Sequence, residues 1–325
     1  MKRALITGGA GFIGSHLADY LLAQGWQVTV LDNLSTGKLA NIAPHLDKVE
    51  FGWVLGNVLE APLVRRLVSD CDVVFHLAAT VGVKAVLDNP AATILNNLGG
   101  TENVLEAAYR HGKRVVLAST SEVYGKSEAL PYREDGPRAY GPTTATRWCY
   151  AESKALDEVL ALDYARRGLP VTIARLFNTV GPRQSAESGM VLPRLVRQAL
   201  AGEPLTVYGT GTQTRCFCHV TDVVRALILL ATSPHTLGEI YNVGNDQEVS
   251  INELAAQVKE INASPSRIVH VDYDAAYGPG FDEMPRRVPC LDRIEAGIGW
   301  MPRRGLGEII ADVSEYAEQA QEALP

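Results

Sequence analysis

Tyr150 and Lys154 stand four residues apart in Arg147-Trp148-Cys149-Tyr150-Ala151-Glu152-Ser153-Lys154, at the start of a stretch that reads as a helix to Arg167 and is closed by Gly168. On a helix, positions i and i+4 share a face. A lysine ammonium beside a phenol favours the phenolate, which would make Tyr150 a base near neutral pH. Taken alone, the spacing also describes a surface pair. Its weight comes from Ser119-Thr120-Ser121-Glu122, which ends an apolar run from Arg114. That polar cluster stands at the carboxyl end of a strand, where open α/β sheets gather their chemistry.

A second chemical feature lies at the amino end. Thr7-Gly8-Gly9-Ala10-Gly11-Phe12-Ile13-Gly14 follows the apolar strand Arg3-Ala4-Leu5-Ile6 and opens a helical stretch, Ser15 to Ala23. Gly8 would make the tight turn, Gly11 would admit a pyrophosphate to the backbone, and Gly14 would let helix pack on strand. The phosphates would sit on the helix N-terminus, around Phe12 and Ile13. A second strand, Gln27 to Leu31, ends at Asp32-Asn33. Asp32 would accept hydrogen bonds from both ribose hydroxyls and repel a 2′-phosphate, so NAD is expected rather than NADP. The bland alternative is a tight turn with no ligand. A third apolar run, Asp72 to Leu77, ends in His76-Leu77-Ala78-Ala79, whose small residues leave room for the cofactor. His76 reads as a satisfied core histidine in preference to a catalyst.

The composition sets limits. At 325 residues, 46% hydrophobic and 21% charged, the chain suits one large or two ordinary globular domains. A net charge of −7 without a long Lys/Arg run argues against a nucleic-acid surface. The apolar stretch Val220 to Ala231 contains Asp222 and Arg225 and is too short to span a bilayer. Five cysteines, an odd number, suggest reduced thiols. Cys216-Phe217-Cys218-His219 offers too few ligands for a metal, so none is expected. The expectation is a soluble, cytoplasmic protein with no nucleic-acid or membrane partner.

The elements that must position these residues alternate. Strands are expected at Glu50 to Leu55, Arg114 to Ser119 and Val171 to Leu176, and a helix at Pro90 to Gly112. Lys126 to Thr146 reads as a loop over the site. Beyond Gln184 the alternation loosens. Helices are expected at Leu192 to Ala201, Asp222 to Ala231, Asn252 to Ile261 with Ser250 as N-cap, and Leu306 to Leu324. Leu205 to Tyr208 and Ile240 to Val243 read as strands, the latter returning to the main sheet. Tyr277-Gly278-Pro279-Gly280-Phe281 through Pro289 reads as a basic loop. The fold class expected is α/β, a Rossmann-type doubly wound parallel sheet with a smaller α/β substrate-binding domain. Residues 1–180, joined by parts of 213–245, would bind NAD, and residues 181–325 a nucleotide sugar.

Together these motifs resemble the extended short-chain dehydrogenase/reductases that act on nucleotide sugars. Ser-Thr-Ser-Glu-Val-Tyr-Gly at 119–125, Arg147 and Arg287-Val288-Pro289 look most like the UDP-glucuronate decarboxylases within that family. The resemblance implies a catalytic set of Thr120, Tyr150 and Lys154, with Glu122 and Arg287 orienting a sugar carboxylate. The bland alternatives are a loop carboxylate for Glu122 and a solvated charge beside Arg286 for Arg287. It implies adenine contacts at Asn57 and Val58, where Asn57 replaces the usual Asp but keeps an accepting oxygen. Asn97, Ser119, Tyr150 and Lys154 would complete the cofactor site with Leu77, Ala78 and Ala79. Ser121, Arg147, Asn178, Arg183, Tyr208, Arg215 and Arg287 would hold the substrate, Arg183 and Arg215 on its diphosphate unless they are surface ion pairs. The implied reaction is C4 oxidation followed by loss of CO2, giving UDP-xylose or UDP-4-keto-pentose. The alternatives are 4-epimerisation of a UDP-sugar and 4,6-dehydration. The resemblance also implies a homodimer along the helices Pro90 to Gly112 and Cys149 to Arg167, with Leu156, Val159 and Leu160 in part of its seam unless that stripe is simply core.

Overall fold

The structure is a computed structural model that describes residues 1–186, 189–277 and 282–322. Its centre is a seven-stranded parallel sheet. The strands are β1 (Arg3–Thr7), β2 (Gln27–Asp32), β3 (Phe51–Leu55), β4 (Val73–His76), β5 (Arg114–Thr120), β6 (Val171–Leu176) and, far along the chain, Ile240–Val243. They lie in the order β3-β2-β1-β4-β5-β6 followed by Ile240–Val243, whose Ile240 is in register with Ile173. Chain order reverses between β1 and β4, which opens a crevice at the carboxyl ends of those strands.

Strand residues alternate between two faces, and both faces are covered. Ala4, Ile6, Val28 and Val30 pack with Leu17, Ala18 and Leu21 of α1 (Phe12–Ala23) and with a later helix, Val220–Thr232. Leu5, Leu31, Val74 and Val115 face the other way, onto α2 (Ala61–Ser69), α4 (Pro90–His111) and α5 (Trp148–Arg166). A short helix α3 (Val83–Asp88) precedes α4. Helix α1 begins at Phe12, three residues before the expected Ser15, so Gly14 lies inside its first turn.

A third core lies after β6. It joins α6 (Val191–Leu200), the strand Leu205–Tyr208, the helix Ile251–Ile261 and the C-terminal helix Leu306–Glu322 through Leu192, Leu195, Leu254, Ile309 and Ile310. Leu205–Tyr208 pairs in parallel with Ile268–Val271. Ser250 caps the helix Ile251–Ile261 in a reciprocal arrangement with Glu253, as its spacing implies. Residues 126–146 have no helix. Tyr277 ends a short helix, Tyr273–Tyr277, rather than opening a loop. The expected loop over Gly278 to Phe281, and the last residues of the expected C-terminal helix, lie outside the described residues.

Candidate active site

A cavity of about 470 Å³ runs along the carboxyl ends of β1, β4 and β5 to α6 and the segment carrying Glu283 and Arg287. Every site residue singled out from the sequence lines it except Asn97 and Arg183.

At the amino end the cavity wall is mainly backbone. Gly8 has φ +72°, and a Cβ there would lie 2.9 Å from Ala78 Cα, so the turn and the β4 end can touch only through glycine. A Cβ on Gly14 would lie 2.3 Å from Gly8 O. Helix α1 has Gly11 as its N-cap, with no side-chain cap and no acid in its first turn, which leaves its N–H groups and positive dipole end to a ligand. Asp32, buried at the end of β2, accepts from Ala10 N at 2.9 Å and Leu34 N at 2.8 Å, one bond on each oxygen. It thereby braces the glycine turn, while each carboxylate oxygen keeps a lone pair for a ribose. Asn57 Oδ1 accepts from Leu59 N at 3.0 Å, so it shapes the turn after β3. This cradle, with an uncapped helix end and a buried carboxylate, fits a dinucleotide.

His76 lies beneath the same wall. Its Nδ1 is 2.7 Å from Thr7 Oγ1 and its Nε2 is 3.2 Å from Thr101 Oγ1. Burial, reinforced by the Lys154 charge, pushes it down to about 3. It is the satisfied neutral core histidine that its position in the sequence suggests.

In the middle of the cavity α5 presents Tyr150 to the end of β5. The hydroxyl of Thr120 bonds to Tyr150, and Thr120 Oγ1 accepts from Glu122 N at 3.2 Å. Here the structure corrects one expectation. Burial raises the Tyr150 pKa above the ordinary tyrosine value, the Glu122 charge adds to this, and the Thr120 bond only partly opposes it. The Asp157 charge adds to the rise, and the same carboxylate holds Lys154 Nζ at 2.7 Å. The helical spacing is right, but the net effect of the surroundings runs the other way.

The far end is built from side chains. Arg287 Nη1 is 3.5 Å from Glu122 Oε1 and Arg147 Nη2 is 3.8 Å from Glu122 Oε2. Arg147 also stands 3.8 Å from Glu283 Oε1, which receives Arg215 Nη2 at 2.6 Å. Three guanidinium groups thus face two carboxylates. Burial pushes Arg287 down to about 10, with Arg215 adding to the effect and Glu122 and Glu283 opposing it. Its buried Nε has no hydrogen-bond partner among the described residues. The cluster therefore has positive charge to spare and a donor to spare, a combination suited to an anionic ligand.

Two residues stand elsewhere than expected. Arg183, with φ +68°, turns away from the cavity and pairs with Asp19 of α1 at 2.8 Å, so it is the ion pair offered above as the alternative. Asn97 lies just behind the wall, where it accepts from Thr80 N at 2.8 Å and donates to Ser153 Oγ at 3.1 Å. Conversely, Glu283, Arg194, Gln213 and Tyr273 line the cavity without having been foreseen. Arg194 lies over the Tyr208 ring at 3.8 Å, and its only sequence signal was a basic residue in an otherwise apolar helical stripe. The Cys216–His219 segment forms two short strands, and His219 engages Thr221 Oγ1 at 2.7 Å and Asp312 at 3.3 Å.

Residues 4–244 match the NAD dependent epimerase/dehydratase family. The chain belongs to that family. It is 44% identical over 314 residues to UDP-N-acetyl-alpha-D-glucosaminuronate decarboxylase of Bacillus cytotoxicus, covering 95% of this chain and 97% of the relative. It is 38% identical over 324 residues to UDP-glucuronic acid decarboxylase 1 of Danio rerio, covering 97% and 72%. The solved structure of Thermus thermophilus UDP-glucose 4-epimerase in complex with NAD superposes with a TM-score of 0.85 at 31% identity, covering 98% of this chain and 99% of that one. The protein is accordingly an NAD-dependent enzyme of the nucleotide-sugar epimerase/dehydratase type, with the Rossmann-type α/β fold. Among the described residues no helix is long and apolar enough to cross a membrane.

Proposed function

We propose that the protein decarboxylates a UDP-hexuronate, with UDP-glucuronate giving UDP-xylose or UDP-4-keto-pentose. The observation that carries this reading is the pair of guanidinium groups, Arg147 and Arg287, gathered on Glu122 beside Tyr150, with a buried Arg287 donor left over. A neutral sugar C6 would leave that donor without a charged acceptor. A C6 carboxylate would supply one.

In this reading Gly8 to Gly14, Asp32, Asn33, Asn57, Val58, Leu77 to Ala79, Ser119 and Lys154 hold the cofactor. NAD held there would supply a hydride acceptor for sugar C4 and, where UDP-xylose is the product, the donor that restores the hydride. Thr120 holds the C4 oxygen and Tyr150 takes its proton. The C4 ketone is then β to the C6 carboxylate. Arg287, Arg147 and Glu122 hold that carboxylate with its C5–C6 bond toward the ketone plane. The C5–C6 electron pair moves into the C4 carbonyl to give an enolate, CO2 leaves, and the enolate takes up a proton from solvent at C5. Asn178, Tyr208 and Arg215 hold the nucleotide diphosphate, so residues 181–325 form the sugar-binding part and residues 1–180, with parts of 213–245, the NAD-binding part.

The 44% identical relative is named for an acetamido sugar acid, which favours a second reading at the same site: a uronate with an N-acetyl group at C2. The chemistry at C4 to C6 is unchanged. Exposed Leu95, Leu156 and Val159 on the paired helices α4 and α5 suit a homodimer, and cytoplasmic residence fits a soluble UDP-sugar substrate.

The test is mass spectrometry with chromatographic separation after incubation with NAD and, separately, UDP-glucuronate and its 2-acetamido analogue. Loss of the mass of CO2 is the expected result, and the faster substrate decides between the two sugars. An unchanged mass in a new peak means 4-epimerisation. No change with either acid sugar sinks both decarboxylase readings.

A further inference from the structure

Arg287 reaches the cavity from a segment, 282–288, that contains no helix or strand, so its position depends on what grips its neighbours. Tyr132 grips them on both sides. Its N–H donates to Val288 O at 2.8 Å, and its carbonyl accepts from Cys290 N at 2.8 Å. Its hydroxyl sits where three carbonyls converge, 3.2 Å from Gly125 O, 3.2 Å from Ser127 O and 3.4 Å from Arg286 O. Tyr132 is 2% exposed. One buried side chain therefore ties the segment of Arg287 to the turn just beyond Glu122.

That side chain is itself anchored. Its ring stacks on Tyr124 with centroids 4.5 Å apart. The Tyr124 hydroxyl donates to Asn242 Oδ1 at 2.7 Å and accepts from Arg175 Nη1 at 2.8 Å. Asn242 Nδ2 returns to Tyr132 O at 2.8 Å and Cys290 O at 3.3 Å. Arg175 holds Glu158 at two points, 2.9 and 2.8 Å, and Glu158 accepts from Ser119 Oγ at 2.5 Å. A continuous buried network thus runs from Ser119, next to Thr120, to the backbone on either side of Arg287.

We infer that Tyr132, braced by Tyr124, is a positioning residue for the loss of CO2: it sets Arg287 in register with Glu122 and the C4-oxygen site at Thr120. This rests on the decarboxylase reading. The two chemical steps differ in their need for it. Proton removal at C4 uses Tyr150 and Thr120, which stand on a helix and a sheet strand of their own. Breaking C5–C6 needs the carboxylate turned correctly, and that depends on Arg287. A misplacement of about 1 Å can cost on the order of a hundredfold in rate, here in one step only.

The experiment compares wild type with Tyr132→Phe, Tyr124→Phe and Arg287→Lys. It follows CO2 release, and the absorbance of reduced cofactor in a single turnover. In Tyr132→Phe, CO2 release should fall about 10- to 100-fold while C4 oxidation stays within about twofold. Reduced cofactor and the 4-keto acid then accumulate. Arg287→Lys should give the same pattern, and Tyr124→Phe a smaller shift in the same direction. Tyr124→Phe keeps its ring, so it carries the test if Tyr132→Phe does not fold. Wild-type CO2 release with unchanged release in the folded variants overturns the inference alone. So does a fall of both steps in proportion to lost thermal stability. A wild type that releases no CO2 from any UDP-hexuronate overturns the decarboxylase reading and the inference with it.

Discussion

At one end of the cavity the contacts on offer are peptide N–H groups between Gly8 and Gly14. At the other they are the charged side chains of Glu122, Arg147, Arg215, Glu283 and Arg287, drawn from separate stretches of chain. The first end is rigid because a turn, a helix start and a sheet fit together without room for a Cβ. The second is held by ion pairs and by the loops that carry them. Backbone recognition suits a group shared by a whole family, since it depends on shape. Side-chain recognition suits the group on which members differ, since one substitution changes its charge.

The largest effect is expected where the ends meet. Tyr150→Phe should lower turnover by about 10³-fold, within the 10²–10⁴ range for a lost general base, as read by product chromatography. Its NAD affinity, measured by fluorescence titration, should change little. Next, Arg287→Gln should reduce decarboxylation about a hundredfold, because Glu122 loses one of its two guanidinium partners and the sugar acid loses its own. NAD affinity should again hold, and an equal loss of NAD affinity would break the division between the two ends.

Gly14→Ala makes the complementary test. Its Cβ would meet Gly8 O at 2.3 Å, so NAD affinity should fall at least about tenfold and stability by about 1–3 kcal/mol. The titration of His76 gives a pH signature for the cofactor half. Its folded value is depressed from 6.5 to about 3, so its contribution to stability is complete above the unfolded value. It is lost as pH falls from 6.5 toward 3, because the unfolded chain takes up a proton that the folded chain refuses. Thermal midpoints should drop on going from about pH 7 to about pH 5, and less steeply in His76→Gln. The smallest effect is expected at Arg286→Ala. Arg286 is exposed and pairs with Glu248, so its loss should leave the thermal midpoint nearly unchanged and turnover unaffected, in contrast to its neighbour Arg287.

The difference between the two ends also explains what could be read from the sequence. Gly8, Gly14 and Asp32 were legible because a strand, a turn and a helix start must be contiguous in the chain. Tyr150 and Thr120 were legible because helix spacing and strand ends are local as well. Glu283 carried no such mark: only the folded chain brings it within 2.6 Å of Arg215, 68 residues away. Arg183 shows the converse. Its type suited a phosphate, but its left-handed backbone sends the side chain to Asp19. For Lys154 the spacing was right, but the burial of Tyr150 and the carboxylates of Glu122 and Asp157 around it, which raise its pKa, are set by the folded chain and carry no local mark.

The late strand Ile240–Val243 has a bearing on protein engineering. Exchanging everything after β6 between two relatives, in order to transplant sugar preference, would also replace a strand of the sheet and its Asn242. In a graft onto this chain, the donor's residue at position 242 would then have to fit Tyr124, whose hydroxyl here donates to Asn242 and accepts from Arg175. Smaller grafts, of residues 189–216 and 282–288, would move side chains that line the far part of the cavity while leaving the recipient's seventh strand in place. They are the better starting points for building chimeras with new specificity.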